Sequence, residues 1–376
     1  MASANILVIG NGFDLAHHLP TQYSDFLDFV NAYKEQDNNV YSNFINIMKK
    51  DNAMLYSKIN NLVKDNVLID FFLSVYRKRT AEGKKGWIDF ENEISTIVQR
   101  LDLAKKYIGK EYSTSGEPVK LEEGLARQLK HIFDNNEKVP EGVILGARLY
   151  SPQTIDHYAE VVLDGLNRLI KLLQIYLYDY VEKSTCKYRL PDLGEIGVGR
   201  VLSFNYTDTF KKYYDSDGKI DYCFIHGKTQ GDDFESCNLV LGIDEYLPRE
   251  RRDIDNQYVW FKKFYQRIYK ETGSEYLDWI HNFEHYCHQT RGASVSYLNI
   301  YIYGHSLDVT DKDVLSRLIM MENTKTHIYY HNREALAKQI ENLVKVIGEE
   351  NLIRKTGGKE RTIEFIQSQA AIKMEE

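Results

Sequence analysis

The sequence predicts an α/β fold: a parallel sheet with helices on both faces and a large helical insertion after the first strand. Three observations lead there. Short apolar runs at 5–9, 199–204, 222–226, 297–303 and 326–330 each stop at a glycine or a polar residue, as strands buried on both faces do. Segments with helical spacing separate the later runs, which is the rhythm of a parallel sheet. Between the first run and the second, residues 23–195 carry almost nothing but helical periodicity.

In chain order, residues 5–9 form a buried strand that ends at Gly10-Asn11-Gly12. Two glycines two apart are notable in a chain with 23 of them in 376 residues. A strand that enters a tight Gly-x-Gly turn and then a helix directs backbone N–H groups at one spot, where an anion can sit. The third glycine of a dinucleotide fingerprint is replaced by Leu15, so a plain tight turn is the competing reading. From Ser24 onward Leu27, Val30, Phe44, Ile47, Leu55, Ile59, Leu62 and Val63 recur at helical spacing. Arg77-Lys78-Arg79 with Lys84-Lys85 reads as a solvated basic loop, and Gly86-Trp87 as punctuation before a helix through Ile97 and Leu101. Residues 108–122 read as a loop and 154–183 as a long amphipathic helix. Leu239-Val240-Leu241-Gly242 reads as a short strand, 257–290 as helical, and 333–349 as the last helix. The expected division is 1–22 plus 196–376 for the α/β core and 23–195 for the helical insertion or cap, with 257–290 a further helical segment.

Composition narrows the function. Apolar residues make up 43%, enough for a substantial core, and the net charge of −7 argues against a nucleic-acid partner. Cys186, Cys223, Cys237 and Cys287 are widely spaced and form no C-x-x-C pair, which suggests a reducing compartment. No run approaches the ~20 apolar residues of a membrane span, and no basic region precedes the first apolar run. The expectation is a cytoplasmic protein with no membrane partner.

In a parallel sheet, ligands sit at the carboxyl ends of the strands. The residues there are Gly10, Asn11, Gly12, Phe13 and Asp14, then Asn205 to Asp208, then His226-Gly227, then Gly242-Ile243-Asp244, then Gly304, His305 and Ser306. An amide, an imidazole and a carboxylate on neighbouring strand ends suit sugar or water positioning with base catalysis near neutral pH. Each also has a structural reading: Asn205 as a helix N-cap, His226 as a satisfied buried imidazole, Asp14 as a carboxylate near a helix N-terminus. His17-His18 point about 100° apart on a helix and make a poor metal pair. Thr310 with Asp313 reads as a capping box, so Asp308, Asp311 and Asp313 give no metal site, and no metal is expected.

The motifs GNGFDLAHHLPTQYSDF (10–26), WIDFENEI (87–94), SFNYTDTF (203–210), IHG (225–227) and YGHSLDVTDKDVL (303–315) occur in that order. In this the sequence resembles the AbiH-type abortive-infection family of bacterial phage-defence proteins, over nearly its whole length. More remotely it resembles the Rossmann-like fold of sirtuin-like NAD-binding proteins. That resemblance matches Gly10 and Gly12, Asn205 with Asp208, His226-Gly227, and Gly304 with Ser306, though the first turn and the Asn-to-Asp spacing depart from the usual pattern. It implies NAD as substrate or ligand and an NAD glycohydrolase, with Asn205, His226 and Asp208 catalytic. Gly10, Asn11, Gly12, Phe13, Asp14, Gly304, His305 and Ser306 would bind the nucleotide. A phage-encoded trigger and a homo-oligomer are the further partners it implies. Two alternatives stand beside it: a non-catalytic nucleotide-binding sensor of phage defence, and a serine hydrolase with Ser306 at a strand-to-helix elbow whose G-x-S-x-G pattern ends in Asp308.

Overall fold

The computed structural model describes residues 5–35, 40–83, 88–116, 119–120, 123–133, 149–231, 236–252, 254–289, 297–359 and 361–374. Lys84, Lys85, Gly86 and Trp87 lie outside them. The chain divides into two compact units: residues 1–21, 177–231 and 267–376 form the first, and 22–176 with 232–266 the second. Residues 177–195 group with the first unit, and 236–252 and 254–266 with the second.

The main sheet of the first unit has six strands: β1 (Asn5–Ile9), β2 (Val198–Ser203), β3 (Asp221–Phe224), β4 (Leu298–Tyr303), β5 (Thr324–Tyr330) and β6 (Ile363–Gln367). Every pairing is parallel and the spatial order is β3-β2-β1-β4-β5-β6. This is the order of doubly wound dinucleotide-binding sheets, and it reverses direction between β1 and β4. Alternation along the strands builds two cores. Ile6, Val8, Leu202, Ile300 and Ile328 pack with Leu315, Leu318 and Leu343 on one face. Leu7, Ile9, Val201 and Tyr303 pack with Phe13, Leu193 and Phe210 on the other. Both faces of β1 are thus dry, which explains its unbroken apolar run.

The expected α/β class and parallel sheet stand, with corrections at several elements. β6 follows two helices, α13 (Arg333–Ile347) and α14 (Glu349–Thr356). It escaped notice because only Ile363 is fully buried in a strand that also carries Glu364 and Gln367. The helix α6 (Phe90–Ser115) continues through the first part of the expected loop at 108–122. Arg77, Lys78 and Arg79 lie on α5 (Val67–Ala81), where Arg77 pairs with Glu35. The segment 257–290 divides into α10 (Lys263–Tyr269) and α11 (Glu275–Gln289).

Leu239-Val240-Leu241-Gly242 is not a strand of the sheet. It lies in the second unit, where the Gln266 amide accepts from Leu241 N at 3.1 Å and donates to Leu241 O at 3.0 Å. One side chain supplies what a neighbouring strand would have supplied. In the same unit, α8 (Pro152–Ile175) packs on α4 (Ala53–Val63) and α5 through Asn66, which is fully buried. Its Oδ1 caps α5 by accepting from Leu68 N and Ile69 N, and its Nδ2 donates to Leu62 O and Gly165 O. All four amide bonding positions are used. Asn66→Ala is expected to cost about 2 kcal/mol, read as a lower denaturant midpoint, whereas an exposed cap replacement costs about 1.

Candidate functional site

The carboxyl ends of β3, β2, β1 and β4 are neighbours in the sheet, so His226, Asn205, Asp14 and His305 follow one another along one edge. At the switch point between β1 and β4, the glycine turn is closed rather than open. Gly10 N donates to Tyr303 O at 3.2 Å, Gly12 N to Gly304 O at 2.8 Å, and Phe13 N to Gly10 O at 2.8 Å. A Cβ on Gly12 would lie 2.8 Å from Gly304 O, and one on Gly10 2.8 Å from His305 Cα. The close approach that requires glycine here is backbone against backbone. The N–H groups of Gly10 and Gly12, expected to face a pyrophosphate, are bonded to protein carbonyls. Asn11 is exposed and accepts from the Thr21 hydroxyl at 2.7 Å. The Phe13 ring is fully buried with Phe210, Tyr214 and Tyr303, as a core residue.

Asp14 sits on the first short helix, α1 (Asn11–Ala16), and is 1% exposed. Its Oδ2 accepts from the Thr207 hydroxyl at 2.6 Å, and the Thr209 hydroxyl donates to that of Thr207 at 3.1 Å. Its Oδ1 is buried with no hydrogen-bond partner. Burial pushes the carboxyl up to about 6, against smaller opposing effects of the Thr207, Thr209 and Asn205 side chains.

Asn205 does not cap a helix: α9 (Thr209–Tyr214) starts later, with Asp208 at its N-cap. Its backbone is fixed by Ser203, whose Oγ accepts from Asn205 N at 3.1 Å. Both amide atoms, Oδ1 and Nδ2, are buried and neither makes a hydrogen bond of full geometry, although the amide lies close enough to the Asp14 carboxyl to favour its ionised form. Buried amide atoms left in this way are costly, and a bound water, ion or ligand can satisfy them.

His226, 5% exposed, lies past β3 with Nε2 3.2 Å from Asp311 Oδ1. Asp208 pairs with Lys228 at 2.6 Å and donates its backbone N–H to Glu182 at 3.2 Å. Burial raises the Glu182 carboxyl above its ordinary range, opposed by hydrogen bonds from the Thr229 hydroxyl and Asp208 N. His305 is buried, with Nε2 3.6 Å from Asp311 Oδ2. Ser306 is exposed, its hydroxyl bonded to no histidine, and its carbonyl accepts from Asn342 at 2.9 Å. No nucleophile–base pair forms at this elbow. His17 is held by Phe13 O at 2.8 Å and the Tyr214 hydroxyl at 2.7 Å, a structural role.

Sequence reasoning missed Thr207, Glu182 and Asp311. The capping-box reading of Thr310 and Asp313 is corrected: Asp308 accepts from Thr310 N at 3.1 Å, and Asp313 pairs with Arg267. Glu91, from the WIDFENEI motif, is bonded in the second unit to the buried Lys263 at 2.8 Å. Among the described residues, no helix is long and apolar enough to cross a membrane.

The model of one protein family, described as bacteriophage abortive infection AbiH, matches residues 6–331. No curated protein and no solved structure matches the chain.

Proposed function

The chain belongs to the bacteriophage abortive infection family AbiH, which supports a role in antiphage defence, and from that premise we propose that it acts by hydrolysing NAD to nicotinamide and ADP-ribose. The observation that carries this reading is the Asn205 amide, buried between the ends of β1 and β3 with neither polar atom in a hydrogen bond of full geometry. The doubly wound strand order supports it, because such sheets take nucleotides at this edge. Asn205 would hold a ribose hydroxyl or the attacking water, with Asp14 Oδ1 as its neighbour. The glycosidic C–N bond breaks and nicotinamide departs with the electron pair, neutral, so no acid is needed for it. Water adds to the ribose carbon and gives its proton to His226. With Gly10 N and Gly12 N bonded to protein carbonyls, other donors would hold the pyrophosphate.

One competing reading, a nucleotide sensor without turnover, uses the same strand ends. The experiment separates them. Purified protein is incubated with NAD beside Asn205→Ala and His226→Ala, and NAD is followed in phage-infected cells carrying the gene. The hydrolase reading expects nicotinamide release, in vitro or on infection, with a loss of at least about 100-fold in both variants. Protection from phage with NAD level throughout overturns it and leaves the sensor.

A further inference from the structure

Two imidazoles face one carboxylate in this site, and the backbone decides how they differ. His305 is held between Gly304 and Leu307, and Leu307 N donates to His305 Nδ1 at 2.8 Å. Nδ1 is therefore an acceptor, and the ring proton is on Nε2, 3.6 Å from Asp311 Oδ2. A proton added at Nδ1 would set two N–H groups head to head. Gln339 Nε2 donates to His305 O at 3.2 Å and Tyr329 O at 3.1 Å, fixing that turn from behind. Asp311 ends a 3-10 turn, Val309–Asp311, and its own N–H donates to Asp308 O at 3.2 Å. The Phe204 ring lies edge-on to both imidazoles, 5.5 Å from His226 and 4.3 Å from His305 between centroids. His226 is seated in a turn where Ile225 N donates to Ser203 O at 2.8 Å and Gly273 packs against the Ile225 backbone.

We propose that Asp311 is the positioning residue of the site, its two oxygens facing Nε2 of His226 and Nε2 of His305. His305 is a fixed buttress, its Nδ1 held by Leu307 N–H, that orients the carboxylate. His226 is the member of the pair that takes up a proton, and the carboxylate holds it in the tautomer with Nδ1 as the lone-pair nitrogen and steadies the imidazolium once formed. This rests on the reading of His226 as the base, and it gives the second histidine a role no motif reveals.

The test is the long-range 1H–15N spectrum of histidine-labelled full-length protein, with the rings assigned from His226→Gln and His305→Gln. In wild type both rings are expected as Nε2–H tautomers. In Asp311→Asn only one acceptor oxygen is left between them. His305 is pinned by Leu307 N–H, so His226 is the ring expected to change to Nδ1–H. With NAD, kcat of Asp311→Asn is expected to fall about 100-fold with KM nearly unchanged, as when an orienting carboxylate is lost. An Nδ1–H tautomer at either ring in wild type overturns the proposal, as does a His226 ring unaffected by the substitution. The wild-type spectrum decides even if Asp311→Asn does not fold. The two readings also fail separately: a tautomer change without nicotinamide release sinks the NADase alone, and release that depends on Asn205 and His226 with no tautomer change sinks only this inference.

Discussion

Gly304→Ala is expected to destabilise the protein by at least about 4 kcal/mol, enough to leave little soluble folded chain. A Cβ there would lie 2.1 Å from Phe13 N and 2.4 Å from Gly12 C. Both are backbone atoms, so no rotamer change relieves the clash. The residue also has φ +66°, a region that disfavours any side chain. Accommodation requires the β1 turn to part from the β4 turn, breaking the 2.8 Å bond from Gly12 N to Gly304 O. Gly218 is the control. It has φ +62° with nothing within 4 Å of an added Cβ, so Gly218→Ala should cost only about 1 kcal/mol. Denaturant unfolding of the two variants, with soluble yield for the first, checks the contrast. Similar costs at the two positions would mean that the switch-point turns are not in contact as described.

Asp14→Asn is expected to make the protein more stable at pH 8 while removing ligand affinity. The folded-state pKa of about 6 lies above the ordinary value of 3.8. Below pH 3.8 the carboxyl is protonated in both folded and unfolded chains, and ionisation contributes no penalty. As pH rises, the unfolded chain ionises first, so stability falls through the interval and levels off above about pH 6. The deficit at pH 8 is on the order of 3 kcal/mol, since the group is fully buried. Asparagine has the same shape, still accepts from Thr207, and carries no charge. Denaturant midpoints at pH 4 and pH 8 measure the difference, which should be near zero at pH 4 and largest at pH 8. A pH-independent difference would refute the assignment of the shift to Asp14. A stabilising substitution that removes function is the pattern of a site that holds strain for its chemistry.

The strands that read correctly did so because each holds a short apolar run ended by glycine or a polar residue, and β1 is dry on both faces. β6 broke that rule with a mixed sequence at the sheet edge, and 239–242 satisfied it without being a strand. A Gly-x-Gly turn states only that something comes close to the backbone. Here that is the Gly304 turn, and a single sequence gives no means of telling this from phosphate. The placement of Asn205, His226 and His305 at neighbouring strand ends was legible because each follows a short apolar run. Thr207 joins Asp14 across 193 positions of sequence, so no local pattern could have paired them. Asp311 was disguised by its surroundings, since an aspartate between Thr310 and Asp313 at a helix start has an ordinary capping explanation. Its role comes from tertiary placement between two histidines on different strand ends.

The central claim is that the buried amide of Asn205 and the carboxyl of Asp14 mark a nucleotide site. Calorimetric titration of ADP-ribose into wild-type protein and Asn205→Ala tests it most directly, because it needs neither turnover nor a phage trigger. The account predicts saturable one-to-one binding to wild type, weakened at least about tenfold by loss of the amide. No binding to wild type, or equal binding to both proteins, would contradict it.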